Sequence, residues 1–464
     1  MIGIFFSIAL IAFYCKRNFI ATLILSPLLF VFISKLAAAA FISGDSSYFS
    51  SESELQIPLN PLALNLYGLS IGLTFFILIK TVDFETINID CNYKFYDRKI
   101  FQFFYKVYSV ILYFFIGLLF FYLFRIKVIP AFQCLERFEF LEQYSSTYHK
   151  FLIKYLPLIS FTIGLYFVHL KNIKKFHISH LLPIFLLMIY LFLTSNRFSA
   201  FFQLISFLFI PLFTYYFLKK NKVNEVFGKF FLKLILYLFV LFIFLGLGNS
   251  YFFIRDQDSK CNSPHKQNVQ DQKIITKFSN LLSQDTFSQN KLLRVKDKLI
   301  YRSFVQPLDL YFLSFQRVVI DQKPSFREAF AFIFDANKVF EGNRSIRFLM
   351  NQNLSNERAL FLEKIHNQFG GGYPEILLEL FGIWGMWPVI IFIAYLTGSL
   401  IRKLIVLMRD QYLLSSFFVM YVLYAFLTFY VGGMLNFLIA WTFWTKVILM
   451  LFALKFEPYL VAKR

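Results

Sequence analysis

The side chains best suited to chemistry in this sequence are arginines on short or folded connections, with proton-accepting groups close to some of them. Arg197 follows Thr194, Ser195 and Asn196 in a very short connection between two apolar blocks, which restrains its position. Arg302 stands shortly before Pro307, where a helix is expected to begin and free backbone N–H groups also favour anions. Arg344, Arg347 and Arg358 follow in the same polar stretch. A guanidinium presents a rigid fork of donors that matches phosphate oxygens bidentately, so this set suits an anionic group. His366 and Glu375 are the candidates there for taking a proton. His366 lies eight residues beyond Arg358 on one expected helix. That spacing turns the two side chains to within roughly 80° of each other. Glu375 follows Tyr373 where the polar stretch returns to an apolar block, a place for a stacking ring or an interface anchor. Two lysines lie inside apolar blocks. Lys35, towards one end of its block, is expected to snorkel to the interface. Lys446, near the middle of the last block, needs a partner or a water-filled cavity.

The elements that must position these groups are membrane spans. Of 464 residues, 58% are hydrophobic and only 16% charged, against roughly 25% charged in a soluble domain. The apolar residues fall in blocks long enough to cross a hydrocarbon layer of about 30 Å as helix. Candidate spans lie near 1–15, 19–42, 61–79, 101–124, 152–169, 181–194, 200–218, 230–249, 376–400, 411–431 and 437–454. The fold expected is an all-α polytopic membrane protein of about eleven transmembrane helices. The first block has no small-residue cleavage site before Lys16 and Arg17 and is read as a retained span. Lys and Arg concentrate in alternate connections, while segment 43–60 has none. That bias puts the N-terminus outside and the C-terminus inside.

Three regions follow: eight spans over 1–249, a polar loop over 250–375, and three spans over 376–464. The loop carries 18 Lys and Arg against 13 Asp and Glu, a small excess that does not oppose translocation of so long a segment. From Pro307, the residues Leu308, Tyr311, Phe312, Phe315, Val318 and Val319 keep helical spacing. Ser325 and Glu328 form a capping box for a helix from Phe326 to Phe340, ending before Gly342. A further helix is expected from Glu357 to Asn367, stopping at Gly370, Gly371 and Gly372. Together these make a small helical cap on the outer membrane surface. The net charge of +20 comes with no compact basic domain, so nucleic acid is not expected as a partner. Cys15, Cys91, Cys134 and Cys261 have no metal-ligand spacing. No P-loop or dinucleotide fingerprint is present, and no carboxylate cluster demands a metal, so neither cofactor nor metal is expected.

This combination resembles the O-antigen (repeat-unit) polymerases of the Wzy type. Thr194-Ser195-Asn196-Arg197 ahead of an apolar span is similar to the family's small-small-Arg signature. Arg302 with Pro307 resembles its Arg-then-Pro element early in the large loop. Phe369 to Glu375, followed by Phe381-Gly382-Ile383-Trp384-Gly385, resembles its glycine-rich, aromatic return to the membrane. The triple glycine departs from the family, which often has Asn there.

The resemblance implies a GT-C-like architecture in a bacterial inner membrane, with the site facing the periplasm. The implied reaction is transfer of a growing glycan from undecaprenyl diphosphate to the non-reducing end of a new lipid-linked repeat unit. Arg197, Arg302, Arg344, Arg347, Arg358 and Lys446 would then face the diphosphate or glycan, and Tyr373 a sugar ring. His366 or Glu375 would deprotonate the acceptor hydroxyl. The implied partners are undecaprenyl-diphosphate-linked repeat units, membrane lipids and a chain-length regulator. An O-antigen ligase shares this logic. A polysaccharide flippase would show internal repeats, and none is visible. A dolichol-type transferase would want paired carboxylates in the first outer loop, where only Asp45, Glu52 and Glu54 stand.

Overall fold

The computed structural model describes residues 2–17, 19–44, 60–89, 99–133, 140–141, 143–172, 178–196, 198–219, 306–322, 326–335, 344–353 and 372–462. These are helices joined by short turns, with no strand among the described residues. Among the described residues, six helices are long and apolar enough to cross a membrane: Pro61–Ile87, Lys106–Ile126, Thr147–Leu170, Ala200–Leu218, Glu375–Arg409 and Leu413–Gly432. The protein is a helical multi-pass membrane protein. The span expected at 230–249 lies outside the described residues.

The first four helices are α1 (Ile2–Arg17), α2 (Phe19–Ile24), α3 (Ser26–Gly44) and α4 (Pro61–Val82). The span expected at 19–42 is thus divided at Leu25, next to the helix-starting pair Ser26-Pro27. Asn60 caps α4, accepting hydrogen bonds from the N–H groups of Leu62 (2.9 Å) and Ala63 (3.4 Å). Helices α1 and α4 run parallel and touch through small residues. Ser7 donates to the carbonyl of Gly68 at 2.7 Å. A Cβ on Gly72 would stand 2.1 Å from Ser7 Oγ, so the contact depends on that glycine.

After the short α5 (Phe84–Ile89) come α6 (Lys99–Ile126), α7 (Thr147–Asn172), α8 (Leu182–Leu193) and α9 (Phe198–Lys219). Helix α8 has 12 residues, about 18 Å at 1.5 Å per residue, too short to cross the hydrocarbon layer alone. Leu119, Leu187, Phe201 and Leu204 build a core that α6 to α9 share.

In the polar loop, α10 (Gln306–Phe315) continues through a π-helical turn, Gln316–Ile320. It coincides with the apolar stripe expected from Pro307. Helix α11 (Phe326–Ile333) is shorter than the helix expected to reach Phe340. Helix α12 (Arg344–Asn353) was not anticipated, because two arginines in its first turn mask its apolar face. That face is Ile346, Leu349 and Met350, all buried. The helix expected at Glu357–Asn367 lies outside the described residues.

The C-terminal part is α13 (Glu375–Arg409), α14 (Leu413–Gly432), the short α15 (Leu435–Ile439) and α16 (Trp441–Ala462). The last expected span begins instead as two helices separated at Ala440. Helix α13 is broken at Gly382, whose φ of 65° and ψ of −177° interrupt the helical path. Glu457 on α16 accepts from the first N–H groups of α14, Leu414 at 3.0 Å and Ser415 at 2.7 Å. A carboxylate at that position satisfies orphan donors and complements the helix dipole.

Candidate functional site

The chain re-enters the bundle just before α13. Gly372 and Gly433 meet back to back, with φ values of 109° and 63°. A Cβ on Gly372 would stand 2.4 Å from the Gly432 carbonyl oxygen, and one on Gly433 would stand 2.1 Å from that of Gly372. Only residues without side chains permit this approach and this backbone conformation.

The contact delivers Tyr373 into the interior, where it is 1% exposed. Its ring packs edge-on against Phe429 and Tyr430, with centroids 5.2 and 5.0 Å away. Its hydroxyl bonds Thr74. Thr74 donates its own proton to the Ser70 carbonyl at 2.7 Å, so Tyr373 is the donor of that pair. Thr74 lies about 20 Å along α4 from Pro61, so the tyrosine ring reaches deep into the bundle. From there Ile376 to Leu380 remain buried, and the chain emerges at Phe381, Gly382 and Trp384. Trp384 is 84% exposed, as befits an aromatic at a membrane interface.

The Lys35 ammonium donates to the carbonyl oxygen of Tyr373 and stands 5.4 Å from that ring's centroid. Lys35 is therefore buried in the bundle, at 5% exposure, and does not snorkel. The reason is geometric: α3 is covered at this level by α4 and α14, and a carbonyl and a carboxylate await the charge.

That carboxylate is Glu375, fully buried in the first turn of α13. It feels the Lys35 charge through space. The backbone N–H groups of Gly372 and Glu375 lie near it, but neither carboxylate oxygen closes a hydrogen bond among the described residues. Tyr67 of α4 and Tyr311 of α10 complete the chamber, with ring centroids 4.8 Å apart. Both are fully buried, and both interact electrostatically with Glu375.

One turn further along α13, Glu379 forms an ion pair with Arg317 of the π turn. Arg317 also donates to Gln352 of α12 at 2.9 Å. Arg344 donates to the Phe332 carbonyl at 2.7 Å, lies 4.5 Å from that ring and stands 4.0 Å from Asp335. It joins α12 to α11, so as it stands its guanidinium is engaged within the cap. Ser345 accepts from the Leu435 N–H at 3.3 Å, fastening α12 to α15. Arg347 is half-buried on the same helix.

Of the other expected residues, Lys446 lies 4.3 Å over the Tyr421 ring on α14, with Lys154 of α7 near it. It is remote from the Glu375 chamber in sequence and partners. Arg197, Arg302, Arg358 and His366 lie outside the described residues. The turn leading to Arg197 is described and tightly held. Thr194 and Asn196 are fully buried, Ser195 has φ 54°, and Asn196 donates to Thr194 at 2.8 Å.

The sequence singles out Tyr373 and Glu375 as candidates, but does not join Lys35, Thr74, Tyr67 and Tyr311 to them, nor single out Arg317 and Glu379. Tyr311 was visible only as one member of an apolar stripe. A lysine and a carboxylate each placed against apolar runs were the available signal for Lys35. Among the described residues no three His, Cys, Asp or Glu side chains come together.

Residues 340–446 match a family of unknown function, DUF6418. The matched segment runs from the end of the cap through α12, the re-entrant turn, α13, α14 and α15 to Lys446. It contains Tyr373, Glu375, Glu379 and Gly433, and leaves out Lys35, Tyr67, Thr74 and Tyr311. No curated protein and no solved structure matches the chain.

Proposed function

We propose that this chain is a membrane-embedded glycosyltransferase that polymerises lipid-linked oligosaccharide repeat units into a surface polysaccharide of the O-antigen kind. The observation that carries the reading is a helical cap lying over a re-entrant turn that holds a fully buried carboxylate beside a lysine. In this reading the protein sits in a bacterial inner membrane with about eleven spans, its N-terminus outside and its cap in the periplasm. Two features support that orientation. Helices α1, α4 and the later part of α13 run parallel, as alternate spans should. The end away from the cap carries Arg17 paired with Glu85 at 2.7 Å, and Arg402 beside Thr86 at 3.3 Å. That end is the cytoplasmic one by the positive-inside rule.

The reaction is a displacement at the anomeric carbon of the growing glycan. An acceptor hydroxyl oxygen forms the new C–O bond as the bond to the undecaprenyl diphosphate oxygen breaks. The hydroxyl proton passes to Glu375 or His366, and the diphosphate leaves with the electron pair. Arg197, Arg302 and Arg358, with Arg347 of the cap, stabilise the charge that develops on that leaving group. For Glu375 to meet a hydroxyl, the cap must lift from the re-entrant turn.

A transporter is the second reading, favoured by the break in α13 beside a buried charged pair, a feature of ion-coupled carriers. Deletion in the host, followed by electrophoresis of the extracted surface glycolipid, separates the two. Loss of a polymerase leaves core bearing one repeat unit. Bare core points instead to loss of transport or of ligation, and an unchanged ladder excludes all three.

A further inference from the structure

Deep under the cap, several hydrogen-bonding groups lie together without closing a hydrogen bond among the described residues. Tyr67 Oη, Tyr311 Oη and both oxygens of Glu375 are buried without a hydrogen-bond partner among the described residues. The three residues come from three separate elements, α4, α10 and the first turn of α13. Their rings and carboxylate lie together: the two phenols stack edge to face at 4.8 Å, and each acts electrostatically on Glu375. Even so, neither phenol donates to the carboxylate. Ser314 Oγ, on the same helix as Tyr311, is buried and unpartnered as well.

Leaving such groups dry costs about 1–3 kcal/mol each, and native interiors rarely carry several together. Together they offer two donors and an acceptor suited to a polar guest. Charge selects its type. Lys35 beside the chamber repels a cation, and Glu375 repels an anion, so a neutral guest is favoured. The guest must accept from two phenols and donate to a carboxylate. A hydroxyl group does both, and a ring carrying several hydroxyls does so at once. The surrounding aromatic faces suit the C–H surface of such a ring.

We propose that Tyr67, Tyr311 and Glu375 form a subsite for a neutral, polyhydroxylated ring, a sugar of the acceptor repeat unit, held between cap helix α10 and the bundle. The proposal rests on the glycan reading above and adds to it the residues that hold the acceptor sugar. The phenols orient one hydroxyl by donating to its oxygen, which turns its proton towards Glu375. The two phenols touch edge to face at 4.8 Å as they stand, so α10 must move off α4 to admit the ring.

The test uses the full chain in lipid nanodiscs, titrated with the free oligosaccharide released from the host's own lipid-linked repeat unit. Tyr67→Phe and Tyr311→Phe remove only the unpartnered hydroxyls and leave the rings in place. Each is expected to weaken binding about tenfold, the loss of one good hydrogen bond, with an unchanged Tm. Glu375→Gln, which loses the charged acceptor, is expected to weaken it at least as much. Wild-type affinity in all three variants overturns the subsite while leaving the glycan reading intact. A raised Tm with unchanged affinity also overturns it, since the hydroxyls then face only a dry void. If wild-type protein binds no oligosaccharide and the deletion strain keeps its full glycan ladder, the glycan reading itself falls, and the subsite with it.

Discussion

Lys35 and Glu375 are ionisable groups of opposite type in an interior built largely of phenyl, phenol and aliphatic groups. Taking each from water costs several kcal/mol, which their attraction and the Tyr373 carbonyl must offset. Removing one partner leaves the other stranded. Lys35→Met is expected to destabilise the folded chain by about 3–5 kcal/mol, read as a fall in Tm in detergent. Lys35→Met combined with Glu375→Gln removes both charges and is expected to recover most of that loss. An additive double variant would show that the two residues do not interact. Glu375 was legible in the sequence because it follows an aromatic at the return to an apolar block. The role of Lys35 was not, since a lysine on a long flexible stem inside an apolar run has two outlets, and only tertiary packing decides between the interface and a buried carbonyl.

At the scale of elements, the re-entrant turn depends on glycines that do different things. Gly372 and Gly433 are fixed by close approach: an added methyl would meet backbone at 2.4 and 2.1 Å. Gly382 has open space around it and is fixed only by its φ of 65°. Gly382→Ala is therefore expected to cost about 1–3 kcal/mol, the penalty for a side chain at positive φ with extended ψ. Gly433→Ala is expected to displace α14 from the turn and cost considerably more. Thermal unfolding of the two variants side by side checks the order, and equal costs would contradict the close contact. The sequence showed glycines at both places but not that Gly372 and Gly433, 61 positions apart, touch. The stripe from Leu308 to Val319 was legible because an amphipathic helix announces its period. Helix α12 was not, because Arg344, Arg347 and Gln352 interrupt the apolar rhythm, and the engagement of Arg344 and Gln352 with α11 and the π-helical turn is tertiary.

Across the whole molecule, cap and basic end lie at opposite poles of one bundle. Single cysteines in a cysteine-free background, at Phe326 in the cap and Lys403 at the basic end, report this directly. A membrane-impermeant maleimide is expected to label position 326 in cells with a permeabilised outer membrane, and position 403 only after lysis. The reverse pattern would put the chamber on the cytoplasmic side, where lipid-linked repeat units are not polymerised in the proposed scheme. The account is tested most directly by reconstitution. Purified protein in liposomes, supplied only with undecaprenyl-diphosphate-linked repeat units, is expected to yield a ladder of lengthened glycans and free undecaprenyl diphosphate, and Glu375→Gln to yield neither. Repeat units left single by protein shown to be folded would contradict it.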